Sequence, residues 1–116
     1  MEILKKQLRL DKYQYYTTHL AIVNALLPIK LTPKEIEVLG IFMSFEGELA
    51  KERFGTTGKK LVKDKLKLSQ PGLSNYIKSL LKKGFLKKIS GNMEILPILH
   101  PEKEVQSYQF KLINIG

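Results

Sequence analysis

Apolar residues in the second half of the chain recur as Leu73, Ile77, Leu80 and Leu81, at steps of four, three and one. That spacing predicts a single buried stripe on a helix running from Gln70 to about Lys83. Ser69 supplies a hydroxyl for the unpaired N–H groups at its start, and Pro71 falls in the first turn, where its missing N–H costs nothing. Lys82 and Lys83 suit the negative end of the helix, and Gly84 suits a left-handed cap. Two short apolar runs follow, Phe85 to Ile89 and Met93 to Ile98, hinged on Ser90-Gly91-Asn92 as a tight hairpin. Ahead of Ser69 lie a short basic helix, Lys59 to Leu66, and the turn Lys67-Leu68-Ser69.

The first half carries two more helical stripes. Tyr16, Leu20, Val23 and Leu27 define a helix from Lys12 to about Leu27, capped by Asp11 and ended by Pro28. Tyr13 and Tyr15 fall off that stripe and are expected to pack against the C-terminal segment. Thr32-Pro33-Lys34-Glu35 reads as a capping box with proline at the first position, opening a helix to about Phe45. That helix should bury Ile36, Leu39 and Phe42 or Met43, with Gly40 allowing a close helix approach. Leu49 to Phe54 adds a helical turn, and Gly55-Thr56-Thr57-Gly58 reads as a loop capped by Thr57. Residues 2–10 read as an extended arm, although Leu4 and Leu8 also fit a helix face. Beyond Pro97 and Pro101, Tyr108, Phe110 and Leu112 alternate with Gln109 and Lys111, a strand pattern needing a partner in residues 4–10, the hairpin or another subunit. The chain thus divides into an arm and tyrosine-containing helix (1–31), a helix–turn–helix with hairpin (32–99) and a C-terminal strand (100–116), all in one compact domain. The expected class is mainly α with a small β-hairpin, α+β, as a winged helix-turn-helix.

Charge sharpens this picture. The net charge is +9 over 116 residues. Residues 51–90 hold twelve basic side chains against two acidic ones, whereas the other 76 hold eight against nine. The whole surplus therefore lies on the helix–turn–helix and hairpin, the footprint expected for a polyanion. Absent cysteines exclude disulfides and thiolate chemistry and suit a cytoplasmic setting. No apolar run approaches the roughly 20 residues that span a bilayer, and the N-terminal pattern is not that of a secretory signal. His19 and His100 offer no metal spacing, and no serine sits in a nucleophile motif. Gly55-Thr56-Thr57-Gly58-Lys59-Lys60 has two residues between its glycines where a nucleotide cradle needs four, and lacks the hydroxyl after lysine. No catalytic residue, metal or cofactor is expected.

The block from Leu68 to Leu86, with its Leu-Ser opening, polar Ser74-Asn75, Leu80-Leu81 and Lys83-Gly84 before an apolar strand, resembles the recognition-helix block of MarR-like winged-helix regulators. The pattern is shared by other winged-helix groups, replication initiators among them. Asn75 stands where the family often has Arg. The tyrosine-containing helix and the Leu31-Thr32-Pro33-Lys34-Glu35 start resemble small winged-helix proteins of tailed bacteriophages. These resemblances imply binding of double-stranded DNA in transcription or replication.

With Leu73, Ile77 and Leu80 buried, the helical period turns Asn75 and Lys78 toward a DNA groove, beside Gly72 and Ser74, with Ser69 and Gln70 at the helix start. Asn75 is suited to bidentate reading of adenine. Lys59, Lys60, Lys63, Lys82, Lys87 and Lys88 are placed to meet phosphates. Eighteen Lys against two Arg supply point charges rather than guanine-reading forks, so binding should be salt-sensitive with limited sequence discrimination. Further partners are a second copy of the chain or a larger protein assembly, and no membrane. The competing reading is a non-enzymatic adaptor, including a virion component, that uses the same fold for protein contacts. An RNA-binding module is a third, unsupported by any aromatic stacking motif.

Overall fold

The structure, a computed structural model, describes residues 5–116 and is mainly helical with one small sheet, an α+β arrangement. The helices are α1 (Lys12–Asn24), α2 (Pro33–Ser44), α3 (Gly47–Lys51), α4 (Thr56–Leu66) and α5 (Gln70–Lys83). Strands β1 (Leu86–Ile89) and β2 (Asn92–Ile95) form an antiparallel hairpin, and Pro97–Leu99 makes a single 3-10 turn. Of the arm expected over 2–10, residues 2–4 lie outside the described residues. Lys5 to Leu10 carry neither helix nor strand.

Local sequence sets the helix starts. Asp11 and Gln14 form a reciprocal capping box on α1, and Thr32 and Glu35 form another on α2. Each box satisfies two N–H groups that the first turn leaves unpaired. On α1 the helix stops at Asn24, three residues short of the expected end. The Asn24 amide accepts from the Leu31 N–H at 2.7 Å and donates to the Leu31 carbonyl at 3.0 Å, while Lys30 Nζ covers the Asn24 and Ala25 carbonyls. This side-chain clasp folds the chain back toward α2 before Pro28 is reached.

The core centres on α2, which buries Val38, Leu39, Ile41, Phe42 and Met43, a wider face than the expected Ile36, Leu39 and Phe42 or Met43, and Ile36 is only half-buried. Around it pack Leu20 from α1, Val62 from α4, Leu73, Ile77 and Leu80 from α5, then Phe85, Leu86, Ile95 and Leu99. Each such aliphatic or aromatic side chain contributes roughly 1.5–3 kcal/mol when fully buried. Contact between α1 and α2 is tight at Gly40, where an added Cβ would fall 2.4 Å from Thr17 Cγ2. Only glycine allows that approach.

Helix α4 begins at Thr56, not at Lys59. Gly55 is its N-cap, with no side-chain cap, so Thr57 lies inside the first turn instead of capping it. The Lys59 N–H bonds the Gly55 carbonyl at 3.0 Å, closing the first turn, and at Gly58 an added Cβ would fall 2.0 Å from the Arg53 carbonyl oxygen. At its far end Lys67 adopts a left-handed backbone, φ 54°, which turns the chain within three residues into the Ser69 cap of α5. Gly84 closes α5 in the same region, φ 84°. In the hairpin, Ser90 and Gly91 both take positive φ between the paired Ile89 and Asn92, the two-residue turn whose twist matches the strands.

The expected C-terminal strand does not form within this chain. Residues 101–116 pair with no strand among the described residues. The tail is instead fastened side-on to α1. The Tyr15 hydroxyl donates to the Glu102 carbonyl, and the Tyr108 hydroxyl meets His19 Nδ1. Tyr15 thus packs on the tail as expected, whereas Tyr13 lies beneath Lys65 of α4, 4.3 Å from Nζ to the ring centre.

Candidate nucleic-acid interface

Three consecutive elements carry the candidate residues. Lys59, Lys60 and Lys63 lie on α4, Ser69 is the cap of α5, and Gln70, Gly72, Ser74, Asn75, Lys78 and Lys82 lie on α5. Lys87 and Lys88 lie on β1. The inner stripe of α5, with Leu73, Ile77 and Leu80 buried, fixes the rotation of the helix. Asn75, Lys78 and Lys82, spaced three and four apart, consequently share the solvent face, and all three are exposed.

Their availability differs from that of neighbouring cations. Among the described residues, carboxylates pair with Lys12, Lys34, Lys51 and Lys83. Of the twelve basic residues in 51–90, Lys51 and Lys83 are therefore neutralised, leaving ten without a carboxylate within 4.0 Å among the described residues. Three of those ten are engaged elsewhere, Lys63 among them through Gln70 Oε1. Arg53 donates to the Phe42 carbonyl at 3.0 Å, and Lys65 covers Tyr13.

Within the candidate set some residues support others. The Ser69 hydroxyl accepts from the Gly72 N–H at 3.0 Å, and Lys63 Nζ donates to Gln70 Oε1 at 2.6 Å, bridging the two helices across their turn. Ser69, Lys63 and Gln70 thus shape the turn, and Gly72 and Ser74 are half-buried beside it. Lys87 and Lys88, taken together from sequence as phosphate contacts, leave opposite faces of β1, as consecutive strand residues must. Lys87 stands opposite Glu94 in the hairpin register, and Lys88 opposite Met93. Only one of the two can share a face with any single ladder of phosphates.

Glu35 is the residue whose role sequence reasoning missed. It was read as a cap, and it caps, but its side chain is also 1% exposed in the core. Its carboxylate accepts from the Thr32 N–H at 2.8 Å, from Ser79 Oγ at 2.6 Å and from Lys83 Nζ at 2.6 Å. Burial pushes this carboxyl up, but the hydrogen bonds from Lys83, Ser79 and Thr32 outweigh it and hold the group below the ordinary carboxylate value. The network ties α5 to the start of α2. Its sequence signal is positional, since Glu35 shares a helix face with Leu39 and Phe42.

No protein-family model matches this chain, and neither a curated protein nor a solved structure matches it. The geometry stands by itself.

Two concavities flank α5 and the hairpin. A shallow one of about 370 Å³, lined by Thr32, Glu35, Gly72, Asn75, Tyr76 and Ser79, places Asn75 on its rim. A larger groove of about 750 Å³ runs between the α3–α4 segment and β2, with Lys59 on its wall. No group of three or more potential metal ligands occurs among the described residues, and no helix there is long and apolar enough to cross a membrane.

Proposed function

We propose that this chain is a winged helix-turn-helix protein that binds double-stranded DNA, with α5 as the recognition helix and the β1–β2 hairpin as the wing. The element order α4, three-residue turn, α5, hairpin suits that architecture, and a role in transcription or replication fits the MarR-like pattern of residues 68–86. One observation carries the reading. The exposed face of α5 presents Asn75, Lys78 and Lys82 together, with no carboxylate on either lysine, in the middle of a segment holding ten such cations. Unpaired lysines on one helix face are what a ladder of phosphates requires, because each contact releases condensed counterions. Asn75 then reads a base edge and the lysines fix the register.

Fluorescence anisotropy with random and enriched duplexes over a salt series tests this. The expected result is tight binding that weakens linearly in log salt. Asn75→Ala should reduce discrimination between preferred and random duplex by about 1–3 kcal/mol while leaving the salt slope intact. Absence of any salt-dependent binding would reject the proposal and favour the protein-contact reading of the same fold.

A further inference from the structure

Past Tyr108 the chain carries a row of apolar side chains that touch little. Phe110 is 57% exposed, Ile113 78%, Ile115 95% and Leu112 99%. Tyr108, Phe110 and Leu112 alternate with polar residues, a pattern that is stable only as part of a sheet. The rings of Tyr108 and Phe110 already stack in parallel, 6.4 Å apart at 9°, as neighbours on one strand face do.

The same chain also has an unfilled strand position. The Leu96 N–H bonds the Phe85 carbonyl at 2.9 Å, which fixes the phase of the antiparallel ladder. With the register Leu86 to Ile95 and Lys88 to Met93, those two pairs are the non-hydrogen-bonded ones. Met93 and Ile95 therefore direct their N–H and C=O groups away from β1. The 750 Å³ groove lies on that outer side, because consecutive residues Gly91 to Ile95 line it and no residue of β1 does. On the opposite wall Ala50 and Phe54 offer apolar contact between the charged Lys51, Glu52, Arg53 and Lys59. An open strand edge beside an accessible groove is a template for an added strand.

We propose that two copies of this chain pair by exchanging C-terminal arms, each arm adding a strand along β2 of the other copy. The arm does not fill its own groove, because the Tyr15–Glu102 and His19–Tyr108 contacts hold residues 102–108 on α1 and leave Leu112 in solvent. A second copy is the fitting occupant, since each chain contributes the groove-side edge of β2 and an unpaired arm, and a two-fold pair satisfies both and closes. Reciprocal exchange also doubles the contact, bringing two short arms toward the roughly 800 Å² per partner of a stable complex. The proposal is independent of DNA binding.

Molar mass from light scattering on the full chain gives the first test, with twice the 13.3 kDa chain mass expected. Leu112→Asp, at a position too exposed to disturb the fold, should return the chain to monomer with an unchanged circular dichroism spectrum. Met93→Pro, which removes an outward N–H but no hairpin bond, should do the same; if it fails to fold, Leu112→Asp decides the matter. Mixing Met93→Cys chains with Leu112→Cys chains under mild oxidation should give a disulfide-linked heterodimer. A monomeric wild type at the highest attainable concentration overturns the proposal. So does a dimer that survives Leu112→Asp, or a double variant whose two cysteines close within one chain.

Discussion

The two faces of α5 hold the same residue type in opposite circumstances. Lys83, on the side turned to α2, is fixed by the buried Glu35 carboxylate and by the Lys30 carbonyl. Lys82, the preceding residue, and Lys78, one turn earlier, stand in solvent with no carboxylate partner. Adjacent lysines in one basic run thus divide into a structural tie and a free cation. Net charge measures their sum. Only the rotation of the helix, set by Leu73, Ile77 and Leu80, says which lysines can meet a polyanion.

The division is broken most severely from the inner face. Leu80→Ala removes a fully buried side chain and should cost about 2–5 kcal/mol of stability, read from denaturant unfolding. An unchanged midpoint would mean that the faces are misassigned.

A pair of neighbouring substitutions sharpens the contrast. Lys83→Met leaves the Glu35 carboxylate buried without its cation and should cost roughly 3 kcal/mol. Lys82→Met should stay within about 0.5 kcal/mol of wild type, as surface changes do. Equal effects in thermal melts would erase the distinction.

Helix α5 and the turn before it were legible because their signals are local. A serine cap, a proline in the first turn, a glycine stop and a four–three stripe all act within one or two turns of chain, and α5 accordingly runs from Gln70 to Lys83. The C-terminal strand is not formed within the single chain, because alternation at Tyr108, Phe110 and Leu112 reports an ability to pair, while pairing itself depends on an edge elsewhere. The end of α1 was misplaced because the Asn24–Leu31 clasp outweighs Pro28 as a stop signal, and a side chain seven residues from its partner leaves no periodic trace. Glu35 was half-read for a related reason. The capping box is visible in four residues, whereas its contacts with Ser79 and Lys83 span more than forty. As for the candidate interface, period alone sufficed to group Asn75 and Lys78, and the structure adds Lys82 to their exposed face. Period did not separate Lys87 from Lys88, since that depends on a strand being formed.

A smaller effect probes the contact between α1 and the C-terminal tail. Burial holds His19 below its ordinary value of 6.5, and the Leu99 carbonyl nearby, outside hydrogen-bond geometry with the ring, offsets this only in part. His100 pushes in the same direction as burial, and Tyr108 occupies Nδ1. The unfolded chain therefore takes up a proton at His19 before the folded chain does. Stability contributed by the neutral ring is complete above about pH 6.5 and declines as pH falls below it, toward the depressed folded value. Melting temperatures recorded between about pH 7 and pH 5 should fall in wild type and fall less in His19→Gln. The same acid dependence in both proteins would assign it to other groups.

The salt dependence of DNA binding bears most directly on the claim that the outward lysines of α5, and not the inward one, face phosphate. Each phosphate contact contributes about 0.9 to the slope of log affinity against log salt. The double variant Lys78→Ala, Lys82→Ala should flatten that slope by up to about two units with the fold intact. Lys83→Met, measured where it remains folded, should weaken the protein yet leave the slope of wild type. A slope that falls with Lys83→Met and is unchanged by the double variant would contradict the account.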